Sequence, residues 1–129
     1  MSGEYNIVDR YILGVVKKFL PRNEEIIHSS LFLIRAKEDE LDDLDWYFNG
    51  YSVISERVSN RIRNLCKNKT VTFADTGLYS ISQSQQFVAE EDIERATASL
   101  NYLFSRMKSG IQLVNKATEV YKENLSVSR

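Results

Sequence analysis

Cysteine and histidine are almost missing from this chain of 129 residues, each occurring once, as Cys66 and His28. A single cysteine excludes an intramolecular disulfide and any cysteine-based zinc cluster within one chain, and it suits a reducing compartment. A single histidine leaves little from which to build His-rich metal sites or Ser-His and Cys-His nucleophilic pairs. No phosphate-binding glycine loop and no metal-ligand spacing accompany them. The expectation is a protein that is not an enzyme and uses no cofactor or metal. His28, flanked by Ile27 and Ser29, is expected to pack rather than to ligate.

An excess of charge of either sign is also missing. Lys and Arg number 17 against 18 Asp and Glu, a net charge of −1, so there is no global pull toward nucleic acid or an anionic surface. Any such binding must come from local charge. No apolar run approaches membrane-spanning length, and Met1-Ser-Gly-Glu-Tyr5 lacks the basic and apolar regions of a signal peptide, which predicts a cytoplasmic protein with no membrane partner. Internal repeats and long low-complexity stretches are likewise missing. What is present, 43% hydrophobic and 27% charged residues, is ordinary for a globular domain with a real core.

The one proline, Pro21, divides the first two helices. Before it, Tyr5, Val8, Ile12, Val15, Val16 and Phe19 recur at helical spacings over 4–20. Pro21 disfavours helical geometry in the residue before it, and Asn23 is placed to cap a second helix with Glu24 and Glu25 in its first turn. That helix, running to about position 36, is expected to be deeply buried through Ile26, Ile27, Leu31, Phe32, Leu33 and Ile34. Six acids then fall in the eight positions 38–45. They lack the glycine and terminal glutamate of an EF-hand, and predict a solvated turn or short exposed helix pinned by Leu41 and Leu44. The acids have a second potential use, restraining the affinity of a nearby basic helix or meeting a basic partner.

Positions 46–82 carry the strongest pattern. Trp46-Tyr-Phe48 is β-prone and is followed by the turn signal Asn49-Gly50, which predicts a short third strand of a winged-helix sheet. Ile54, Val58, Ile62 and Leu65 lie on one face of a helix over 52–67, begun by Ser52 or by Ser55 and ended at Asn68. Thr70-Val-Thr-Phe73 and Leu78-Tyr-Ser-Ile81 alternate around the turn residues 74–77, predicting a hairpin. Five Lys and Arg against one acid lie between positions 52 and 69. The DNA-binding candidates are therefore Ser55, Arg57, Asn60, Arg61, Arg63, Asn64, Lys67 and Lys69, residue types that donate to phosphate oxygens or base edges.

The order of an aromatic segment, Gly50-Tyr51-Ser52, a helix and a hairpin resembles the winged-helix segment of the Panacea family of antitoxin-associated and regulator-like proteins. That family carries a Gly-Pro-Tyr-Ser motif opening its helix, whereas here no proline precedes Tyr51 and Asn68 stands where glycine is usual. The resemblance implies a fold more than an activity.

Beyond the polar stretch Gln83-Ser-Gln-Gln86, positions 87–124 read as one long helix whose apolar stripe is too wide to stay in water. It must fold back on the preceding domain, pair with a second copy, or both; Leu100, Leu103, Met107 and Val114 are its candidate homodimer interface, and Gly110 its one interruption. The expected fold is mainly α with a small β-hairpin wing: a winged helix-turn-helix domain over 1–82 and a long C-terminal helix over 83–129. The expected function is sequence-specific binding of double-stranded DNA by a homodimeric transcriptional regulator. The alternative is a winged-helix protein-interaction or assembly module without nucleic acid, favoured by the near-zero net charge and the acidic run.

Overall fold

The helix Ile7–Phe19 (α1) is the element on which the others are laid. In the computed structural model, which describes residues 7–19, 21, 23–73, 79–81 and 90–127, it touches elements from both halves of the chain. Val8, Ile12, Val15 and Val16 are buried as their spacing predicts, and Leu13 and Tyr11 are buried with them. A helix buried around most of its circumference must be covered on several sides. Glu24–Leu33 (α2), Glu56–Lys67 (α4) and Glu90–Arg106 (α5) supply that cover.

The corner between α1 and α2 forms as expected. Asn23 is extended, and its side-chain oxygen accepts from the Ile26 N–H at 3.1 Å, satisfying a first-turn donor that the helix cannot. The helix stops at Leu33, short of the expected position 36, and a single 3₁₀ turn, Arg35–Lys37, follows. The acidic run forms a one-turn helix, Asp39–Asp42 (α3), with Leu41 and Leu44 buried and the carboxylates outside.

Two small antiparallel sheets flank α4 among the described residues. Tyr47–Phe48 (β1) pairs with Val53–Ile54 (β2), and Val71–Phe73 (β3) with Tyr79–Ile81 (β4). The second pairs the two predicted strands, Val71 opposite Ile81 and Phe73 opposite Tyr79. The first corrects the expectation that Trp46-Tyr-Phe48 would be a third strand of the wing. Its partner strand is local because Asn49 closes a tight turn: its side-chain oxygen accepts from the N–H groups of Tyr51 and Ser52, both at 2.9 Å, and Gly50 supplies φ +101°. Ile54 is consequently a half-buried strand residue rather than the first buried position of a helix.

Residues 87–124 are not one helix. α5 ends at Arg106, and Gly110–Val127 (α6) begins after a short break. The break has a chemical cause in Ser109-Gly-Ile-Gln112. The Gln112 side-chain oxygen accepts from the Ser109 N–H at 3.3 Å and from the Lys108 N–H at 2.9 Å, while Ser109 Oγ accepts from the Gln112 N–H at 3.3 Å. This reciprocal box starts a new helix where the apolar periodicity alone would continue the old one. Gly110 is where α6 crosses α2. A Cβ there would lie 2.5 Å from Ile26 Cδ1.

The two halves of the broken helix fold back, α5 along α1 and α6 along α2. Leu100, Leu103 and Leu113 join the same core as Ile12, Leu31 and Ile62, and Phe104 lies 4.9 Å, centroid to centroid, from Phe19. A second cluster, of Phe32, Val53 and Ala117 with Trp46, Phe48 and Tyr121 around them, holds α6 against the first hairpin. Trp46 is a core aromatic, its indole N–H donating to the Leu41 carbonyl at 2.7 Å. The expected division into 1–82 and 83–129 therefore crosses a shared core; the polar stretch at its boundary lies outside the described residues. No helix among the described residues is long and apolar enough to cross a membrane.

Candidate nucleic-acid interface

The spacing of α4 sorts its residues onto two faces. Val58, Ile62 and Leu65 are buried, while Glu56, Arg57, Asn60, Arg63, Asn64 and Lys67 form an exposed stripe at steps of three and four. Lys69 continues that stripe past the helix end, and the β3–β4 hairpin follows it.

Ser55 is not on this stripe. It is the N-cap of α4 and is fully buried: its Oγ accepts from the Val58 N–H at 3.4 Å and donates to the Leu44 carbonyl at 2.6 Å. The alternative start, Ser52, is buried two residues before β2 ends, where it donates to Glu25 at 3.2 Å. Three extended residues thus separate Gly50-Tyr51-Ser52 from the helix that the resembling motif would open directly.

Arg61 is also removed from the readable face. Its Nε donates to Asp9 Oδ1 at 2.8 Å and its Nη2 to Asp9 Oδ2 at 2.6 Å, a bidentate pair that ties α4 to α1. Asp9 is wholly buried, so the guanidinium is the counter-charge of a carboxylate inside the protein, which holds the Arg61 pKa above its ordinary value. The sequence signal for this pair is Asp9 itself, which shares the apolar stripe of Ile12 and Val16.

Arg57 is engaged more loosely, donating to the Asp43 carbonyl at 3.2 Å and lying 3.5 Å from an Asp45 carboxylate oxygen. Asn60 accepts from Arg63 Nη1 at 2.8 Å along the helix surface. Asn64, Lys67 and Lys69 are exposed. The helix ends one residue later than expected in conformational terms: Asn68 keeps φ −87° and Lys69 takes the left-handed φ of +67°. The Thr70 N–H reaches the Leu65 carbonyl at 2.9 Å and the Lys69 N–H that of Cys66 at 3.1 Å, a Schellman ending.

Charge changes along the stripe. At the N-terminal end of α4 stand Glu56, Asp43 and Asp45, and beyond them Glu38 to Glu40, where a hydrogen bond that protonated Glu38 donates to Glu40, burial and the adjoining carboxylates raise the Glu38 pKa. Toward the C-terminal end Arg63, Lys67 and Lys69 predominate. The cationic field of the expected interface is thus confined to the half of α4 nearest the hairpin.

His28 lies behind the interface rather than in it. It is buried, its Nδ1 accepts from the Ser55 N–H at 3.1 Å, and its Nε2 lies 3.1 Å from Glu24 and 3.2 Å from Ser59 Oγ. Ser59 Oγ donates to Glu24 at 2.8 Å. Serine, histidine and acid are therefore together, but hydroxyl and carboxylate share one ring nitrogen while the other holds a backbone N–H. A nucleophilic triad puts them on opposite nitrogens, with the hydroxyl open to substrate. Here the network fastens α2 to the cap of α4. The bonds from His28 and Ser59 keep the Glu24 pKa below its ordinary value of 4.5 against the opposing effect of burial. Cys66 is half-buried, and burial pushes its thiol pKa up, away from reactivity. Among the described residues no three His, Cys, Asp or Glu side chains are placed to share a metal ion.

The four expected dimer residues lie along the inward side of the C-terminal helices. Leu100 and Leu103 are buried in the chain's own core, Met107 packs on it, and Val114 is half-buried. Their apolar stripe is wide because it serves α1 and α2. Among the described residues, the large apolar side chains that α5 and α6 expose are Tyr102 and Ile111, neither of them an expected interface residue.

No protein-family model, curated protein or solved structure matches the chain.

Proposed function

We propose that this chain binds double-stranded DNA, as a transcriptional regulator, through the hairpin-proximal half of α4. The observation that carries the proposal is the uninterrupted exposed stripe of Asn60, Arg63, Asn64, Lys67 and Lys69, standing on a helix whose opposite face is locked into the core and followed at once by a hairpin. A helix so held can enter a major groove without rearranging. Arg63 and Asn64 are the residues assigned to base edges, and Lys67 and Lys69 to phosphates. Arg61 and Ser55 leave the set of direct readers because their polar groups are committed inside the protein. A two-fold dimer, in this proposal, uses the exposed side chains Tyr102 of α5 and Ile111 of α6 rather than Leu100 and Leu103.

Anisotropy titration of duplexes selected from a random pool tests this. Arg63→Ala is expected to cost about 1–3 kcal/mol on the selected sequence, and Lys67→Ala to weaken all sequences alike while lowering the salt slope by about one. An unmodified protein that binds no duplex at low salt removes the proposal. The second reading, a protein-interaction module, then stands; it is supported by Asp43 and Asp45 holding Arg57, a surface already partly neutralised from within.

A further inference from the structure

Beside that stripe, the N-terminal half of α4 borders a cleft of about 490 Å³, within the size range of small-molecule sites. The first turn of α1 and the acidic stretch close its other sides. Ile7, Val8 and Leu44 give it an apolar lining, and Glu40, Asp43 and Arg57 stand around it with opposite charges.

These charges differ in what already holds them. Arg61 also borders the cleft, but its guanidinium is consumed by buried Asp9. Arg57 is held only by an exposed hydrogen bond to the Asp43 carbonyl and a 3.5 Å contact with Asp45, its side chain 60% exposed, so redirecting it toward a ligand costs little. Glu40 and Asp43 are exposed carboxylates on the same cleft, Asp43 adjoining Arg57 through its carbonyl. A purely anionic ligand meets two carboxylates, and a purely cationic one meets the guanidinium. A molecule carrying both charges close together satisfies both kinds of group, and an apolar body on it covers the lining.

We infer that this cleft binds a small zwitterion with an apolar side chain, an α-amino acid or dipeptide. Its ammonium is held by Asp43 and Glu40, its carboxylate by Arg57 and its side chain by Ile7, Val8 and Leu44. This site is independent of whether α4 binds DNA, and its test uses none.

The full chain is titrated with leucine and with Leu-Leu, following heat and backbone amide shifts, beside leucinamide, which lacks the carboxylate, and N-acetylleucine, which lacks the ammonium. Leucine or Leu-Leu is expected to saturate the site below about 10 mM, moving the amides of Val8, Leu44 and Arg57, with each capped analogue weaker by about tenfold or more. Arg57→Gln is expected to erase the discrimination against leucinamide, and Asp43→Asn the discrimination against N-acetylleucine. Both positions are exposed, and an unchanged amide spectrum elsewhere confirms the fold of each variant. The inference is overturned if neither zwitterion saturates, if the capped analogues bind equally well, or if discrimination survives both substitutions.

Discussion

Replacing Arg61 by alanine separates a reading arginine from a structural one. Asp9 is completely buried, and the substitution strips its carboxylate of the bidentate guanidinium at 2.6 and 2.8 Å. Removing one partner of a buried pair costs about 3–5 kcal/mol. The Arg61 side chain is 32% exposed, so water partly replaces it, and about 2–4 kcal/mol is the expected loss. For a domain of this size that lowers Tm by about 6–20 °C, at about 3–5 °C per kcal/mol. Urea unfolding followed by far-UV circular dichroism measures it, with the Asp9→Asn, Arg61→Ala double variant closing a thermodynamic cycle. The coupling should exceed about 1.5 kcal/mol, and an apolar replacement of both partners, Asp9→Leu with Arg61→Met, should recover most of the loss. An Arg61→Ala protein as stable as the parent but unable to bind a selected duplex would falsify the assignment, and would return Arg61 to the DNA-reading set.

Other substitutions probe the rest of the structure. Glu24 has a folded-state pKa below its unfolded value of 4.5, so the stability it supplies is complete above about pH 4.5 and is lost as pH falls through the folded value; urea midpoints across that range should fall more steeply for the parent than for Glu24→Gln. Gly110→Ala forces Ile26 to move and should destabilise by about 1–3 kcal/mol, although alanine is the better helix former; a raised Tm would mean that the helices do not cross there. Lys69→Gly relieves a left-handed lysine and should stabilise by about 1 kcal/mol in the same denaturation assay, while a loss would contradict the Schellman ending. Leu103→Asp places a carboxylate in the core and should abolish cooperative unfolding; a folded variant that light scattering shows merely to have changed its oligomeric state would restore the dimer-interface role.

The pattern of residues by itself determined those elements whose cause is local. Asn23 beside Pro21, the alternation of 70–73 and 78–81, and the three-four spacing of Val58, Ile62 and Leu65 each commit a few neighbouring residues to one backbone geometry. A cap, a turn or an amphipathic face needs no distant partner to be recognised. The Ser109-to-Gln112 box was legible in the same way, and a wide apolar stripe concealed it. What α4 can offer was decided elsewhere. Arg61 and Arg63 are equivalent on paper, but Asp9, 52 positions before Arg61, claims only the former. Ser55 and Ser52 are both plausible caps until β2 forms against β1 and leaves Ser55 at the helix start. Leu100 and Leu103 suit a partner copy as well as their own chain, and the break after Arg106 turns them onto α1. In each case the residue type permits several burials of similar local free energy. Which one is realised depends on a surface assembled from distant parts of the chain, and only the packed core supplies it.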